Sequence, residues 1–255
     1  MKVSIITVTY NSEKFLEQTI ISVMNQVYNN IEYIIIDGGS KDNTLEIIRK
    51  YSHFISNWIS EPDNGIYDAM NKGIKLASGD IVGFLNSDDI FYDNNIIKIV
   101  ASSFKNNIEC LFGDIVFVDN KNTNKITRIY SSHKFKLNYF SYGHMPPHPS
   151  FYALKSLYTK YNYFKTDYKI ASDFDFLLRT LLIHRSKYVY VKAIFVKMRT
   201  GGISSAFKNK ILLNNEILRA CNENGIKTNI FKIYSKYILK IFTIIKLYNL
   251  NKINK

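Results

Sequence analysis

Short apolar runs alternate with amphipathic helical patterns through about the first ninety residues, and this alternation constrains the fold more than any other feature. Val3–Thr9 and Ile31–Asp37 are runs of β-branched residues, typical of buried strands, and residues 54–59 and 80–85 fit two more. A helical pattern begins with Ser12 as its cap, a second ends near Lys50, and a third covers residues 67–76. Strands that alternate with helices predict an α/β fold, with helices on both faces of a parallel sheet.

Polar residues follow three of the predicted strands. In open α/β sheets, ligands bind beyond the carboxyl ends of the strands, which lie along one edge. The polar strand ends are Thr9-Tyr10-Asn11, Asp37-Gly38 and Asn86-Ser87-Asp88-Asp89. The sequence therefore predicts that these three segments meet and form a ligand-binding site.

Asp88 and Asp89 place two adjacent carboxylates at the end of a buried strand. Burying such charges is costly unless a cation lies beside them. Mg²⁺ and Mn²⁺ suit this position, because they take oxygen ligands from one or two carboxylates, water and a substrate diphosphate. The alternative is an ordinary turn in which one of the two aspartates caps a helix near Asp93.

Three stretches of the chain carry a specific resemblance. They are VSIITVTYNSEKFLEQTIISVMNQ, YIIIDGGSKDNT and EPDNGIYDAMNKGIKLASGDIVGFLNSDD. In content and order they resemble the N-terminal half of family 2 glycosyltransferases. The resemblance implies a GT-A fold, with a nucleotide-sugar-binding half joined to an acceptor-binding half. It also implies inverting, hexosyltransferase-like activity with a divalent metal, Mn²⁺ or Mg²⁺, bridging the diphosphate.

The same resemblance assigns nucleotide-binding residues in the first half. Thr9 and Tyr10 match the segment that lines the base and ribose, and Asp37 matches the acidic residue that bonds the base. Asp63 in EPDNG and Asn71 in AMNKG match further positions on the nucleotide side. The alternative for Asp63 is an ordinary turn.

The family's D-x-D motif falls on Asn86-Ser87-Asp88, so its first carboxylate is replaced by an amide. An amide oxygen accepts a hydrogen bond or a weak cation contact but brings no negative charge. Asp88 is therefore expected to be the principal metal ligand. Asp89 is expected to assist the metal through water or to orient its neighbour, and the metal site to be weak.

Inversion requires a positioned base that takes the proton of the incoming hydroxyl. Asp173 falls where the family's E-D motif ends, with Ser172 in place of the usual glutamate. Ser172 is expected to cap an amphipathic helix that runs to residue 182, and Asp175 to turn away and tolerate replacement by Asn. The alternative is that Asp173 is only a first-turn carboxylate, favoured by the helix dipole.

Two further segments are similar to parts of the family's active site. His148 in PPHPSFY resembles a His-x-Ser segment that borders the acceptor site, although a lone histidine is often structural. Arg199 and Ser204 flank a Gly-Gly loop that resembles the mobile loop over the donor diphosphate. The alternative for this loop is a plain turn.

The C-terminal segment is basic and apolar together. Residues 208–255 contain ten Lys and Arg against two Asp and Glu. Between residues 230 and 250, Ile and Tyr recur on one side of a helical pattern and Lys232, Lys236 and Lys240 on another. This composition is typical of an interfacial helix on an anionic membrane, and its apolar content argues against nucleic acid. The alternative is a helix that packs on the domain.

These patterns predict one catalytic domain at 1–225, with a nucleotide-sugar half at 1–105 and an acceptor half at 106–225, and a basic amphipathic tail at 226–255. The expected reaction moves one sugar to a saccharide or lipid-linked saccharide during surface polysaccharide biosynthesis. The expected location is cytoplasmic, on the inner face of the membrane. A processive synthase needs membrane spans, and no segment has the roughly 18 apolar residues required.

Two other functions stay open. A sugar nucleotidyltransferase normally has a Gly-rich, Arg-containing loop after its first strand, where this chain has Tyr10-Asn11-Ser12-Glu13. A non-enzymatic basic adaptor on the membrane surface needs no nucleotide site. Cys110 and Cys221 lack the spacing of a zinc site or a disulfide framework.

Overall fold

A computed structural model of the chain describes residues 1–200 and 207–237. The strands are β1 Val3–Thr9, β2 Ile31–Asp37, β3 Asn57–Ser60, β4 Ile81–Phe84, β5 Ile90–Phe91, β6 Cys110–Val118, β7 Ile126–Tyr130, β8 Phe151–Leu154 and β9 Tyr188–Arg199. The helices are α1 Leu16–Met24, α2 Thr44–Lys50, α3 Ile66–Leu76, α4 Ile96–Ser103, α5 Lys155–Lys160, α6 Ser172–Leu177 and α7 Phe207–Glu223. Ser204 and residues 238–255 of the predicted tail lie outside the described residues.

All nine strands belong to one mixed sheet. The first four strands in the spatial order β3-β2-β1-β4 are parallel, as predicted, and their carboxyl ends share one edge. The order continues through β8, β6, β9 and β5, and β8 runs antiparallel to both β4 and β6. The sheet therefore continues without a break from the predicted nucleotide half into the predicted acceptor half.

Several boundaries differ from the sequence-based expectation for local reasons. Ser12 does not cap α1 through its side chain; its carbonyl oxygen accepts the amides of Phe15 and Leu16, and the helix begins at Leu16. The third strand starts at Asn57 rather than residue 54, because the amide of Phe54 still bonds the carbonyl of Tyr51 in the turn after α2. Tertiary hydrogen bonds thus move both boundaries by a few residues.

Two apolar clusters fill the space between the sheet and its helices. One contains Ile6 of β1 together with Phe174 of α6. The other contains Ile5 of β1 together with Val196 of β9. Successive residues of a strand point to opposite faces, so β1 contributes to both clusters. Each cluster combines side chains from the two halves of the chain.

The beginning of the predicted tail is helical from 230 to 237 and packs on the acceptor half. Ile233 is fully buried, and the hydroxyl of Tyr237 donates to the side chain of Asn214. The described part of this helix therefore packs on the domain through Ile233 and Tyr237. Phe231 is 83% exposed and Tyr234 is also exposed. Within 1–200 and 207–237, no helix is long and apolar enough to cross a membrane.

Candidate active site

The three polar strand ends meet at one edge of the sheet, as the sequence predicts. Thr9 pairs with Asp37 in the β1–β2 register, and the amide of Gly38 donates to the carbonyl of Thr9 (2.9 Å). Ser12 and Ser87 share a hydrogen bond between their hydroxyls (2.9 Å), which joins the loop after β1 to the turn after β4. Parallel pairing of the strands is therefore what gathers residues that lie far apart in the sequence.

Asp37 shapes the loop that follows β2. Its fully buried carboxylate accepts the amides of Gly39 (3.1 Å) and Ser40 (3.0 Å) and the hydroxyl of Ser60 (2.7 Å). The hydroxyl of Ser40 donates to the other carboxylate oxygen. Asp37, which the resemblance predicts to contact the base, therefore also stabilises the loop through hydrogen bonds inside the protein.

Tyr10 and Asp63 both lie close to Gly38, in the loop after β2. The ring of Tyr10 is 59% exposed, and a Cβ atom at Gly38 would clash with Asp63 Oδ2 and lie 3.5 Å from the ring. Asp63 Oδ1 accepts the amide of Gly65 (2.8 Å). Thr9 Oγ1 is buried and has no hydrogen-bond partner among the described residues. An aromatic ring, a carboxylate and a hydroxyl therefore lie near the carboxyl ends of β1, β2 and β3.

Asn71 is bonded to Phe164 through its side chain. Its side-chain amide donates to the carbonyl of Phe164 (2.8 Å), and its oxygen accepts the amide of the same residue (3.1 Å). Both ends of the side chain are thus used within the protein. Asn71 ties α3 to the segment before α6, a structural contact that the motif alone does not reveal.

In the turn after β4, the neighbouring residues Asp88 and Asp89 differ in how exposed they are. Asp89 is only 1% exposed and accepts the side-chain amide of Asn86 (3.0 Å) and the main-chain amide of Arg199 (3.3 Å). Burial, and then the charge of Asp88, hold the pKa of Asp89 well above its usual range. Asp88 is half-buried, and burial raises its pKa as well. Asp88 is therefore the more accessible carboxylate, whereas Asp89 supports the turn.

Asp88 and Asp89 would suit a divalent ion that takes most of its ligands from a bound substrate. Within the described ranges, no three His, Cys, Asp or Glu side chains cluster closely enough to hold a metal by themselves. The raised pKa values of Asp88 and Asp89 show that a nearby cation would stabilise their charged forms. Mg²⁺ and Mn²⁺ are commonly bound by one or two carboxylates together with phosphate oxygens.

Arg199 is buried and supports the turn that contains Asp88 and Asp89. Its guanidinium donates to Gln18 (2.5 Å) and to the carbonyl of Asn120 (3.2 Å), and it lies 4.5 Å from the ring centre of Phe15. Its Nε atom is buried without a hydrogen-bond partner in the described part of the chain. The positive charge lowers the pKa of Asp88, against the larger effect of burial. The resemblance of the following loop makes Arg199 or Ser204 a candidate for phosphate contact, and the Arg199 side chain is buried.

Asp173 lies at the start of α6, where the sequence predicts the catalytic base. Its Oδ1 atom accepts the hydroxyl of Tyr67 (3.2 Å) and the amide of Phe174 (2.9 Å). Burial raises the pKa of Asp173 to about 6, although these two hydrogen bonds oppose the shift. A carboxylate with a pKa near the working pH is well suited to general base catalysis.

Ser172 does not cap α6 as predicted. The N-cap position belongs to Ala171, and Ser172 Oγ is buried with no partner among residues 1–200 and 207–237. Glu216 of α7 bonds the segment before the helix, because its carboxylate accepts the amides of Lys169, Ile170 and Ala171. The sequence analysis did not identify Glu216. Helical periodicity places it beside the apolar face of α7 but does not reveal its hydrogen-bond partners.

Asp175 is a buried ion-pair residue, which argues against the expectation that it tolerates replacement by Asn. Its carboxylate is fully buried and pairs with Arg179 (2.7 Å) and Lys165 (3.1 Å). Asn224 donates a further hydrogen bond (3.0 Å). The helix does turn Asp175 away from Asp173, but it turns it into a buried ion-pair network.

His148 lies among aromatic rings. Its ring centre is 5.2 Å from that of Phe84 and 5.5 Å from that of Phe164. Burial lowers the pKa of His148 to about 4, so the imidazole is neutral near pH 7. Its Nε2 atom is buried and has no partner within the described chain. The His148 side chain is therefore packed among aromatic rings and is not exposed on the surface.

The chain is similar to known glycosyltransferases. Residues 4–162 match the family model described as Glycosyl transferase family 2. An uncharacterized glycosyltransferase of Mycobacterium tuberculosis strain H37Rv is 34% identical over 211 residues, which cover 80% of this chain and 77% of the relative. A PGL/p-HBAD biosynthesis glycosyltransferase of Mycobacterium bovis strain BCG is 26% identical over 219 residues, 82% of each chain.

Solved structures share the fold. TarS of S. aureus in complex with UDP-GlcNAc superimposes with a TM-score of 0.69 at 21% identity, over 86% of this chain and 66% of that chain. That structure contains residues 1–349 of TarS, and this chain covers 40% of the longer TarS chain in a further crystal structure. The mannosyltransferase PcManGT of Pyrobaculum calidifontis, in complex with GDP-Man and Mn²⁺, has a TM-score of 0.63 at 14% identity, over 86% and 64%. The fold is the GT-A type expected from the sequence, and the chain belongs to glycosyl transferase family 2.

Proposed function

We propose that the protein transfers one sugar from a UDP-sugar to a hydroxyl of a saccharide or lipid-linked saccharide, with inversion at the anomeric carbon. The observation that carries this proposal is Asp173, a half-buried carboxylate at the start of α6 with a pKa near 6. TarS, a protein of the same fold, binds UDP and UDP-GlcNAc, which supports a uridine nucleotide as the donor. The M. bovis relative acts in PGL/p-HBAD biosynthesis, which supports a surface glycan as the product.

In the proposed reaction, Asp173 is the general base. The acceptor oxygen attacks the anomeric carbon on the face opposite the diphosphate, and its proton passes to Asp173. The bond between the anomeric carbon and the diphosphate oxygen breaks, and its electron pair leaves with the nucleoside diphosphate. Tyr67 holds Asp173 Oδ1 by a hydrogen bond (3.2 Å), so that the proton is accepted from a fixed position.

The nucleotide is proposed to bind beside the loop after β2. The exposed ring of Tyr10 offers an aromatic face to the base, and Thr9 Oγ1 a buried hydroxyl without a partner in the described chain. Asp63 offers a carboxylate, held in place by the amide of Gly65. Asp37 secures the loop from beneath.

The diphosphate is proposed to lie at Asp88. A divalent metal, Mn²⁺ or Mg²⁺, would be held there by Asp88 and would neutralise the charge of the leaving diphosphate. Asp89, Asn86 and Arg199 keep the turn in place behind Asp88. The neighbour PcManGT, whose complex contains Mn²⁺ and GDP-Man, supports metal use in this fold.

Two matched variants test this assignment of roles. Asp173→Asn keeps an oxygen that accepts from Tyr67 and Phe174, so nucleotide binding should persist while turnover falls by about 10²- to 10⁴-fold. Asp88→Asn should instead weaken Mn²⁺-dependent nucleotide binding and leave the fold intact. Calorimetry with UDP, with and without EDTA, measures binding, and hydrolysis of a panel of UDP-, GDP- and dTDP-sugars measures turnover.

Each variant has a clear contrary outcome. If Asp173→Asn keeps more than about a tenth of wild-type turnover, Asp173 is not the base. If the affinity of Asp88→Asn for UDP equals that of the wild type in Mn²⁺ and in EDTA, the metal site is assigned wrongly. A chain that binds none of the nucleotide sugars would point to the adaptor function.

We also propose that residues 226–255 attach the enzyme to the anionic inner face of a membrane. Phe231 and Tyr234 face solvent on the packed part of the tail, and Lys227 and Lys232 lie in the same segment. The following residues continue with the same mixture of Lys, Ile, Leu and aromatic residues. An enzyme attached there would meet a lipid-linked acceptor at the membrane surface.

A further inference from the structure

Glu216 is a buried carboxylate, and its hydrogen bonds within the described part of the chain all go to main-chain amides of a distant segment. It lies on α7 and is 8% exposed. One carboxylate oxygen accepts the amide of Lys169 (2.8 Å), and the other accepts those of Ile170 and Ala171 (both 2.9 Å). Three hydrogen bonds to one carboxylate fix the segment 169–171 relative to α7, because each is strengthened by the charge.

The segment that Glu216 holds leads directly into the first turn of α6. The first amides of a helix lack partners within the helix and normally bond a capping side chain. Ala171 stands at the N-cap position and offers no such side chain. Asp173 follows two residues later. Its place therefore depends on how firmly residues 169–171 are held from α7.

We propose that Glu216 is a positioning residue for sugar transfer, which sets the place of Asp173 by anchoring the three amides before α6. The inference rests on the proposed role of Asp173 as the general base. Tyr67 of α3 approaches Asp173 from the other side, so the carboxylate is located between two fixed elements. Small displacements of a reacting group reduce rates by as much as about 10²-fold, which gives such anchoring a catalytic consequence.

The negative charge of Glu216 raises the pKa of Asp173, as burial does. Burial is the largest cause of the raised pKa of Asp173, the bonds from Phe174 and Tyr67 oppose it, and the negative charge of Glu216 raises it further. Asp175, on the same helix, is paired with Arg179 and Lys165. Removing the charge of Glu216 should therefore lower the pKa of Asp173.

Glu216→Gln tests the inference, with Glu223→Gln as its matched control. Glu223 lies on the same helix but bonds Lys165, Tyr168 and Arg219. Glutamine at 216 keeps one accepting oxygen, so part of the anchoring is lost together with the charge. We expect turnover to fall by about 10- to 100-fold with unchanged affinity for UDP. The acidic limb of the pH–rate profile should move to lower pH, and neither change should occur in Glu223→Gln.

Two measurements do not depend on knowing the donor. Carbon-13 NMR of labelled aspartate carboxyls gives the Asp173 titration, assigned by its loss in Asp173→Asn. Amide hydrogen exchange follows Lys169, Ile170 and Ala171. In Glu216→Gln the titration midpoint should fall and the three amides should exchange faster. Glu216→Asp keeps the charge on a shorter side chain, so it should speed exchange while leaving the midpoint nearer to that of the wild type.

The possible results separate the two proposals. If Asp173→Asn is inactive while Glu216→Gln matches the wild type in turnover, titration and exchange, Glu216 has no positioning role and the base assignment stands. If Asp173→Asn is active, the base assignment is overturned and the inference with it. If Glu216→Gln lowers stability as much as Glu223→Gln but alone changes the titration and turnover, the positioning role is supported.

Discussion

Asp173 and Asp175 are two residues apart in one helix and have opposite environments. Asp173 accepts hydrogen bonds from Tyr67 and Phe174 and has no ion-pair partner in the described chain. Asp175 is buried between Arg179 and Lys165. Burial raises the pKa of the first carboxylate to about 6, whereas the second is tied into an ion-pair network. The difference lies in the partners, since both residues belong to the first turn of α6.

The pH dependence of activity should follow Asp173. A base with a pKa of about 6 is active when deprotonated, so kcat/KM should rise tenfold per pH unit up to about pH 6 and level off above it. A pH–rate profile of the wild-type enzyme measures this limb. A profile that is flat from pH 5 to pH 8 would contradict the assignment.

The stability of the protein should also depend on pH through Asp173, but it should fall over the pH range in which activity rises. Because the folded pKa of about 6 lies above the ordinary value of 3.8, the folded state holds this proton more tightly than the unfolded state. The contribution of Asp173 to the free energy of unfolding therefore decreases as the pH rises from about 4 to about 6. Asp173→Asn should be more stable than the wild type at pH 7, by up to roughly 3 kcal/mol. Urea denaturation at pH 4 and pH 7 measures this difference, and a loss of stability in the variant would contradict it.

Asp175→Asn should be strongly destabilising. It leaves the buried guanidinium of Arg179 without its carboxylate, and breaking a buried ion pair by removing one partner typically costs about 3–5 kcal/mol. Glu17→Gln, which breaks the exposed pair with Lys50, is the matched control and should change stability little. Urea midpoints of the two variants measure the contrast. Equal midpoints would show that the Asp175 network adds nothing to stability.

At the scale of elements, the C-terminal helix has two faces with different tasks. Ile233 is fully buried against the acceptor half, and Phe231 on the other face is exposed to solvent. A truncation after Gly225 therefore removes part of the core as well as the proposed membrane contact. A truncation after Tyr237 removes only residues 238–255 and retains the packed turns.

Vesicle binding should depend on the exposed face and on the residues after 237. Sedimentation with anionic vesicles should be lost in the truncation after Tyr237 and weakened in Phe231→Ser, with UDP binding unchanged in both. Each lysine near the surface contributes about 1 kcal/mol, so binding should also weaken as salt increases. Ile233→Ala should instead lower stability by about 2–5 kcal/mol and leave sedimentation unchanged. Binding that survives the truncation, or that salt does not affect, would argue against the tail as the membrane contact.

At the scale of the whole molecule, the two halves of the chain share one sheet and two apolar clusters. The joint lies where β4 meets β8, with Gly83 opposite Tyr152 in the register. A Cβ atom at Gly83 would clash with the ring of Tyr152, so glycine permits this close contact. Residues 1–105 and 106–225 are therefore proposed to form a single folding unit.

Urea unfolding should show one transition in both halves. Trp58, the single tryptophan, lies on β3 and reports on the nucleotide half. Cys110 and Cys221 are buried thiols of the acceptor half, and their labelling reports when that half opens. Tryptophan fluorescence and thiol labelling should therefore give the same midpoint. Two separate midpoints would show that the halves are independent domains.

The sequence by itself determined the sheet, its polar edge and the position of the proposed base. Strands β1, β2 and β4 are recognisable because their buried residues form continuous apolar runs, and the polar residues after them must leave the sheet at its carboxyl edge. Asp173 was identifiable because it opens a helix at a position that matches a family motif. These features depend on neighbours within a few residues.

Only the tertiary structure decided which polar side chains remain accessible. Asp88 and Asp89 are adjacent, yet the second is buried because Asn86 and the main chain of Arg199 hold it inward. Glu216 reaches amides 45 to 47 residues away. Hydrogen-bond and ion-pair partners of this kind are set by how helices pack on the sheet, and the periodicity of a segment shows only which of its faces is buried.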